Sequence, residues 1–204
     1  MDIRNNYVEL CGSPVGRPQF SHTGGSERYF AFPLEIERLS GATDTVNIAV
    51  RESLIKNLEL GTAGALTVCG ELRSFNNKKD EGPRLVIAVF AKELYFTGSG
   101  DKNIARLSGV ICKRPTLRKT PMGRQICDIM LAVNRHYGRS DYLPCIAWGR
   151  LAEECAALEV GDPLSLEGRI QSRNYIKNEN GAPVSRTAFE VSIVTLTDSG
   201  PSDT

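Results

Sequence analysis

Aromatic and basic side chains alternate along strand-like segments in the second half of the sequence. With the period of two that a β-strand has, the segment YLPCIAW (142–148) places Tyr142 and Trp148 on one face. The opposite face carries Leu, Cys and Ala, and it is apolar enough to be a core face by itself. The pattern therefore predicts that Tyr142 and the chain's only tryptophan, Trp148, lie on an exposed face.

A second strand and a basic turn extend this predicted surface. In the segment GRIQSRNY (168–175), the residues that alternate with the apolar Ile170 are mostly basic or aromatic. In an earlier hairpin, two tyrosines flank a basic turn. The predicted surface consists of Tyr137, Tyr142, Trp148 and Tyr175, together with Arg135, Arg139, Arg169 and Arg173.

Such a surface has the chemistry that binds single-stranded nucleic acid. Stacking on an aromatic face contributes about 1–3 kcal/mol per base and tolerates any base. Arginine neutralises phosphates and can itself stack. Between residues 106 and 139 there are eight basic residues, with Arg118 and Lys119 among them, and a single acid, Asp128. A charge run alone is usually a solvated loop, so this segment predicts binding only because the aromatic residues accompany it.

The sequence contains two copies of one structural plan. YVELCG, ending at Gly12, is repeated as IARLSG, ending at Gly109. LTVCGELRS, around Gly70, is repeated as LSLEGRIQS, around Gly168. The offsets are 97 (109 − 12) and 98 (168 − 70) residues, so each copy is a domain of about 95 residues. The predicted domains cover 1–97 and 103–197, and a short flexible tail covers 198–204.

The order of elements within a copy indicates its fold. Each copy shows three strand patterns, a short helix and two further strand patterns, with the helices at 51–61 and 150–161. This is the order of a five-stranded Greek-key barrel of the OB type. We therefore predict an all-β chain of two tandem OB-fold five-stranded Greek-key barrels, each with a short helix between strands 3 and 4.

Composition and motifs argue against several other classes of protein. The chain is 41% hydrophobic and 24% charged, as soluble globular proteins are, and no apolar run approaches the roughly 18 residues that span a bilayer. We see no secretory signal and expect a cytoplasmic protein without membrane partners. The six cysteines are isolated and there are only two histidines, so we expect reduced thiols, no metal and no cofactor. With no Ser/His/Asp order and no phosphate-binding glycine loop, we expect no catalytic residues and no enzyme activity.

Four segments resemble, in order and spacing, the bacterial single-stranded DNA-binding protein family. They are NIARLSGVICKRPTLRKTPMG, MLAVNRHY, YLPCIAWGRLAE and LEGRIQSRNYIKNENG, and the likeness covers nearly all of residues 103–197. The resemblance implies binding of single-stranded DNA without strong sequence preference, in replication, repair and recombination. It also implies base stacking on Tyr137, Tyr142, Trp148 and Tyr175, and phosphate contacts from Arg118, Arg135 and Arg173.

The first copy departs from the family pattern. Aligned on the same landmarks, its residues opposite Trp148, Tyr142, Tyr175 and Tyr137 are Val50, Asp44, Asn77 and Leu39. None of these is aromatic, while Phe30 and Phe32 alternate as core residues would. We therefore expect an N-terminal OB fold whose stacking aromatics are lost, and which serves assembly or weakly extends the binding path.

Several alternatives stay open at this point. The sequence ends a few residues after its last strand, and no acidic recruiting tail is seen. A primosomal replication protein N-like accessory factor is therefore one alternative, and an OB-fold protein–protein assembly scaffold is another. RNA is an alternative ligand, because stacking does not read the 2′-hydroxyl. Relatives with tandem folds reach four OB units by dimerising, so we expect a homodimer by analogy.

Overall fold

Strands make up most of the chain. The computed structural model describes residues 5–38, 40–56, 64–76, 85–97, 100–135, 138–179 and 182–197. Within these ranges there are eleven strands and two short helices. The predicted all-β fold class is confirmed. The predicted tail, residues 98 and 99 between the two predicted domains, and Tyr137 lie outside the described residues.

Two compact units divide the chain. One, called here the N-unit, comprises Tyr7–Arg73 and Ile87–Ile104. The other, the C-unit, comprises Met1–Asn6, Ser74–Val86 and Ala105–Thr204. Two short stretches of the first half thus belong to the C-unit, while the contiguous boundaries 1–97 and 103–197 stay a prediction.

Six strands and one helical turn build the first repeat. They are β1 (Asn6–Pro14), β2 (Gln19–Gly24), β3 (Glu27–Glu37), β4 (Thr43–Arg51), α1 (Glu52–Ile55), β5 (Ala65–Asn76) and β6 (Leu85–Thr97). The strands pair in the order β1-β5-β6-β4-β3-β2, and a β1–β3 pairing closes the sheet on itself. The helix predicted over 51–61 is present at its start, and its predicted second half lies outside the described residues.

Five strands and one helix build the second repeat. They are β7 (Lys102–Lys119), β8 (Gln125–Asn134), β9 (Ser140–Trp148), α2 (Arg150–Ala156), β10 (Pro163–Glu179) and β11 (Ala182–Thr197). The order is β10-β11-β9-β8-β7, and a β10–β7 pairing closes the barrel. The helix lies between the third and fourth strands of the repeat, as the sequence predicted. One continuous strand, β7, corresponds to the separate strands β1 and β2.

Apolar side chains fill each barrel in registered rows. In the C-unit, strand pairing aligns four core residues, all at most 3% exposed: Ile129, Cys145, Val191 and Ile170. In the N-unit the same kind of row is formed by Phe32, Ile48 and Val89. Each such side chain contributes about 1.5–3 kcal/mol when it is fully buried, so these rows hold the strands that carry the surface residues.

Four glycines mark where the strands approach most closely. A Cβ added at Gly12, Gly70, Gly109 or Gly168 would collide with a backbone carbonyl group of a neighbouring strand. At Gly109, strand β7 passes from pairing with β10 to pairing with β8. At Gly12, strand β1 passes from β5 to β3 in the same way. The glycines that identify the sequence repeat therefore allow each barrel to close.

The cysteines are free thiols, as the sequence predicted. Four of the six are buried: Cys11, Cys127, Cys145 and Cys155. Burial raises the pKa of Cys155 to about 11 and also raises that of Cys145. No helix in the described part of the chain is long and apolar enough to cross a membrane. No group of three or more His, Cys, Asp or Glu among the described residues could hold a metal ion.

Candidate nucleic-acid interface

Strand β9 presents its two aromatic residues to solvent. Tyr142 is 51% exposed and Trp148 is 38% exposed, while Leu143 and Ala147 on the opposite face are fully buried. Ile146 lies on the aromatic face but is only 3% exposed. It has paired strands on both sides, β8 and β11, whereas Tyr142 and Trp148 lie towards the ends of β9. Six residues at about 3.3 Å each separate the two rings by about 20 Å along the strand.

Strand register places Arg169 on the same face as the aromatic residues. Residues that pair directly across neighbouring strands point to the same face of the sheet. One such row on the outer face of the barrel runs through Thr116, Asp128, Ile146, Ser192 and Arg169. Along β10, Arg173 is four residues further on the same side, and its side chain is exposed. Tyr175 follows two residues later and pairs with Arg186, but its side chain lies outside the described residues.

An open hollow of about 540 Å³ lies beside Trp148. It is lined by Lys119, Gly123, Arg124, Gln125, Trp148 and Gly149. The Gly149 N–H donates a hydrogen bond of 3.0 Å to the Gln125 carbonyl, which fixes the end of β9 against the start of β8. Arg124 and Gln125 are not among the predicted site residues. Arg124 is part of the basic segment in the sequence, but only the pairing of β8 with β9 brings it beside the indole.

The one acid of the basic segment is bound to an arginine. The Arg118 Nε and Nη2 donate to the two Asp128 carboxylate oxygens, at 2.5 and 3.0 Å. This hydrogen bonding raises the pKa of Arg118 above its ordinary value. Both side chains are more than 40% exposed, so the guanidinium lies at the surface and is partly neutralised there.

Arg135 holds a buried carboxylate. Asp141 is fully buried on the inner face of β9, and Arg135 donates to both of its carboxylate oxygens. A further hydrogen bond of 3.1 Å joins the Arg135 Nη2 to the Ser74 carbonyl. The basic turn closes through a 2.7 Å hydrogen bond from the Arg135 N–H to the Arg139 carbonyl, and the Arg139 side chain is exposed. Tyr137 lies in this turn, outside the described residues.

The first repeat contains the same buried pair, and the pair corrects the sequence alignment. In the N-unit, Arg38 donates to both carboxylate oxygens of the buried Asp44, 97 residues before Arg135 and Asp141. Strand pairing gives the same offset, since Glu35 pairs with Thr45 as Ala132 pairs with Tyr142.

Two of the aligned counterparts are therefore wrong by one residue. Trp148 corresponds to Arg51 rather than Val50, and Tyr142 corresponds to Thr45 rather than Asp44. Val50 is fully buried, so it could not occupy the exposed position of Trp148. Asn77 and Leu39, the other two counterparts, lie outside the described residues.

Aromatic residues of the N-unit pack on cations of the same unit. Phe32 is buried in the core, as the sequence predicted, while Phe30 is half-buried. The Arg28 guanidinium lies 5.3 Å from the ring centroids of both Phe20 and Phe30, and it forms a 2.9 Å ion pair with Glu52. Among the described aromatic residues of the N-unit, Phe20 on β2 and Tyr95 on β6 are exposed, and neither stands at the counterpart of Trp148 or Tyr142.

The sequence is similar to known bacterial proteins over its second repeat. Residues 103–197 match the family described as "Single-strand binding protein family". The single-stranded DNA-binding protein A of Bacillus subtilis is 36% identical over 95 residues, which is 43% of this chain and 55% of that protein. A single-stranded DNA-binding protein 2 of Listeria innocua is 38% identical over 76 residues, 34% of this chain and 48% of its own length. The chain thus spans about half the length of these curated relatives.

One solved structure is similar over almost the whole chain. The crystal structure of the wild-type single-stranded DNA binding protein from Thermus aquaticus superposes with a TM-score of 0.76 at 24% identity. The superposition covers 98% of this chain and 96% of that chain. This likeness confirms the tandem OB fold. The residues that match the single-strand binding protein family, 103–197, are the same residues that gave the sequence resemblance.

Proposed function

We propose that the chain binds single-stranded DNA through the outer face of the C-unit, by base stacking and phosphate neutralisation. The observation that carries the proposal is Trp148, exposed beside a hollow that Lys119 and Arg124 also line. The exposed part of the indole, with cations beside it, offers a base a stacking face. The names of the curated relatives, all single-stranded DNA-binding proteins, support this assignment.

The geometry suits an extended strand. Trp148 and Tyr142 provide two rings about 20 Å apart on one strand, and stacking on them requires no particular base. Tyr137 and Tyr175 are the further stacking residues that we propose. Phosphates are neutralised by exposed cations along the same face: Arg118, Lys119, Arg124, Arg139, Arg169 and Arg173. Binding is therefore sequence-tolerant and strongest for pyrimidine runs.

Arg135 has a different role in this proposal. Its guanidinium is occupied by the buried Asp141, so it positions the strand ends and the turn that carry the binding residues. We retain it as part of the interface, but as a positioning residue rather than a principal phosphate ligand.

The wider setting is proposed on the same basis. The chain acts as a binding protein rather than an enzyme, in replication, repair and recombination in the bacterial cytoplasm. Two copies associate as a homodimer, which brings together four OB folds. The N-terminal fold contributes assembly, or a weaker extension of the binding path.

Trp148 fluorescence tests the proposed function directly, because it is the only tryptophan. Oligo-dT is titrated into the protein at two salt concentrations, with duplex DNA of equal length as the control. We expect quenching by oligo-dT, weaker at the higher salt concentration, and none by the duplex. A flat signal together with no binding by fluorescence anisotropy of labelled oligo-dT would contradict the proposal and favour a protein–protein scaffold.

A further inference from the structure

An exposed phenylalanine at the end of β5 lies next to the proposed stacking surface. Phe75 belongs to the C-unit, within Ser74–Val86, and its side chain is 44% exposed. In sequence it belongs to the first repeat, so the sequence pattern gives no reason to associate it with Tyr142. Hydrogen bonds of its neighbour Ser74 bring Phe75 close to Tyr142.

Ser74 is held by two hydrogen bonds to β9 and by a third from Arg135. The Ser74 N–H donates to the Asp141 Oδ1 at 2.6 Å, and the Tyr142 N–H donates to the Ser74 Oγ at 2.8 Å. The Ser74 carbonyl accepts from the Arg135 Nη2 at 3.1 Å. Because Asp141 is fully buried, this attachment is anchored in the barrel. The backbone that carries Phe75 is thus fixed beside the backbone that carries Tyr142.

The ring of Phe75 is also held in place by a cation. The Arg135 guanidinium lies 5.7 Å from the ring centroid, within the range of a cation–π contact. Arg135 is itself fixed by both carboxylate oxygens of Asp141. Phe75 therefore shares the three properties of Tyr142 and Trp148 that matter for stacking: an aromatic ring, a fixed backbone and an exposed side chain.

We propose that Phe75 is a further base-stacking residue, supplied by the first repeat to the binding face of the second. The inference rests on the proposed function, because its ligand is the same single strand. Phe75 extends the path of the bound strand from Trp148 and Tyr142 past the Tyr142 end of β9. The bound strand consequently covers more nucleotides than the second repeat alone would hold.

Truncation of the ring tests the proposal, and the chain offers a matched control. Phe75→Ala is compared with Phe20→Ala, since Phe20 is a phenylalanine of the N-unit with similar exposure, 53%. Affinity for labelled oligo-dT is measured by anisotropy, and thermal unfolding checks that both variants fold. We expect Phe75→Ala to weaken binding about tenfold and Phe20→Ala to leave it unchanged. An affinity of Phe75→Ala equal to that of the unchanged protein would overturn the proposal.

A tryptophan probe separates this inference from the proposed function. In a Trp148→Phe background, which keeps an aromatic ring at position 148, Phe75→Trp places the only tryptophan of the chain at position 75. Quenching on addition of oligo-dT supports stacking at 75. Binding by anisotropy without quenching overturns the inference and leaves the proposed function intact. Absence of binding by the unchanged protein would overturn the proposed function, and this inference with it.

Discussion

At the scale of single residues, exposure separates binding residues from core residues on one strand. Along β9, Tyr142 and Trp148 are the two exposed side chains, and both are aromatic, whereas the residues on the opposite face are buried. Exposure of an indole leaves apolar surface in water, a cost that burial in the core would avoid. A single strand that covers Trp148 removes this cost on binding, so the exposed ring favours the bound state.

Removal of either ring is expected to weaken binding without unfolding the protein. Trp148→Ala and Tyr142→Ala should each lose about 1–3 kcal/mol of binding free energy for oligo-dT, because each removes one stacking face. Tyr175→Ala should lose a similar amount. Thr45→Ala, at the first-repeat counterpart of Tyr142, serves as the control and should change little. Anisotropy titrations measure the losses, and equal losses at 45 and 142 would contradict the asymmetry of the two repeats.

The ion pair between Arg118 and Asp128 leads to a second prediction. Asp128→Asn removes the only acid in the basic segment and releases the guanidinium for a phosphate. The pair is exposed and therefore weak, so oligo-dT affinity should rise by up to about fivefold at low salt. Glu154→Gln, which breaks the exposed Arg150–Glu154 pair on α2, is the control. No gain from Asp128→Asn would show that Arg118 does not contact the strand.

At the scale of elements, each repeat is closed by the same two devices. Glycines allow the first strand to change partners, and a buried aspartate with its arginine joins two neighbouring strands, β3 to β4 in the first repeat and β8 to β9 in the second. The pairs Arg38–Asp44 and Arg135–Asp141 span turns of equal length. Their common role is structural, because the first repeat keeps the pair although Thr45 and Arg51 stand at the counterparts of Tyr142 and Trp148.

Loss of either arginine should destabilise the fold to a similar extent. Arg38→Ala or Arg135→Ala leaves a buried carboxylate without its main partner, which costs on the order of 3 kcal/mol. Arg139→Ala, on the exposed part of the turn, is the control and should cost little. Urea unfolding measures the differences. If Arg135→Ala instead kept full stability and lost binding, Arg135 would be a phosphate ligand and not a positioning residue.

The sequence predicts the elements well and the spatial neighbours less well. The repeat landmarks give the fold class, the helix position and the exposed face of β9, because glycine spacing and period-two patterns are local properties. The alignment of Val50 with Trp148 is wrong by one residue, since a one-residue shift in a strand exchanges its two faces and only the pairing fixes the register. The sites of Arg124 and Phe75 depend on contacts between distant segments, which no local pattern contains.

At the scale of the whole molecule, the proposed homodimer doubles the number of binding faces. In this proposal each chain provides one aromatic face on its C-unit, and the first repeat provides the surface for association. We expect light scattering to give the mass of two chains, independent of added oligo-dT. The mass of a single chain across micromolar concentrations would contradict the dimer and leave binding by the C-unit unaffected.

The salt dependence of binding measures how many phosphates the cations of the proposed binding face neutralise. Six exposed basic residues lie along the proposed path: Arg118, Lys119, Arg124, Arg139, Arg169 and Arg173. Each phosphate that they neutralise contributes a slope of about −0.7 to the plot of log affinity against log salt concentration, so the limit for one chain is about −4. Arg169→Ala should make the slope less steep by about 0.7, because register places Arg169 on this face. Lys56→Ala removes an exposed cation directly after α1 and should leave the slope unchanged, and the opposite result would place the strand on the N-unit.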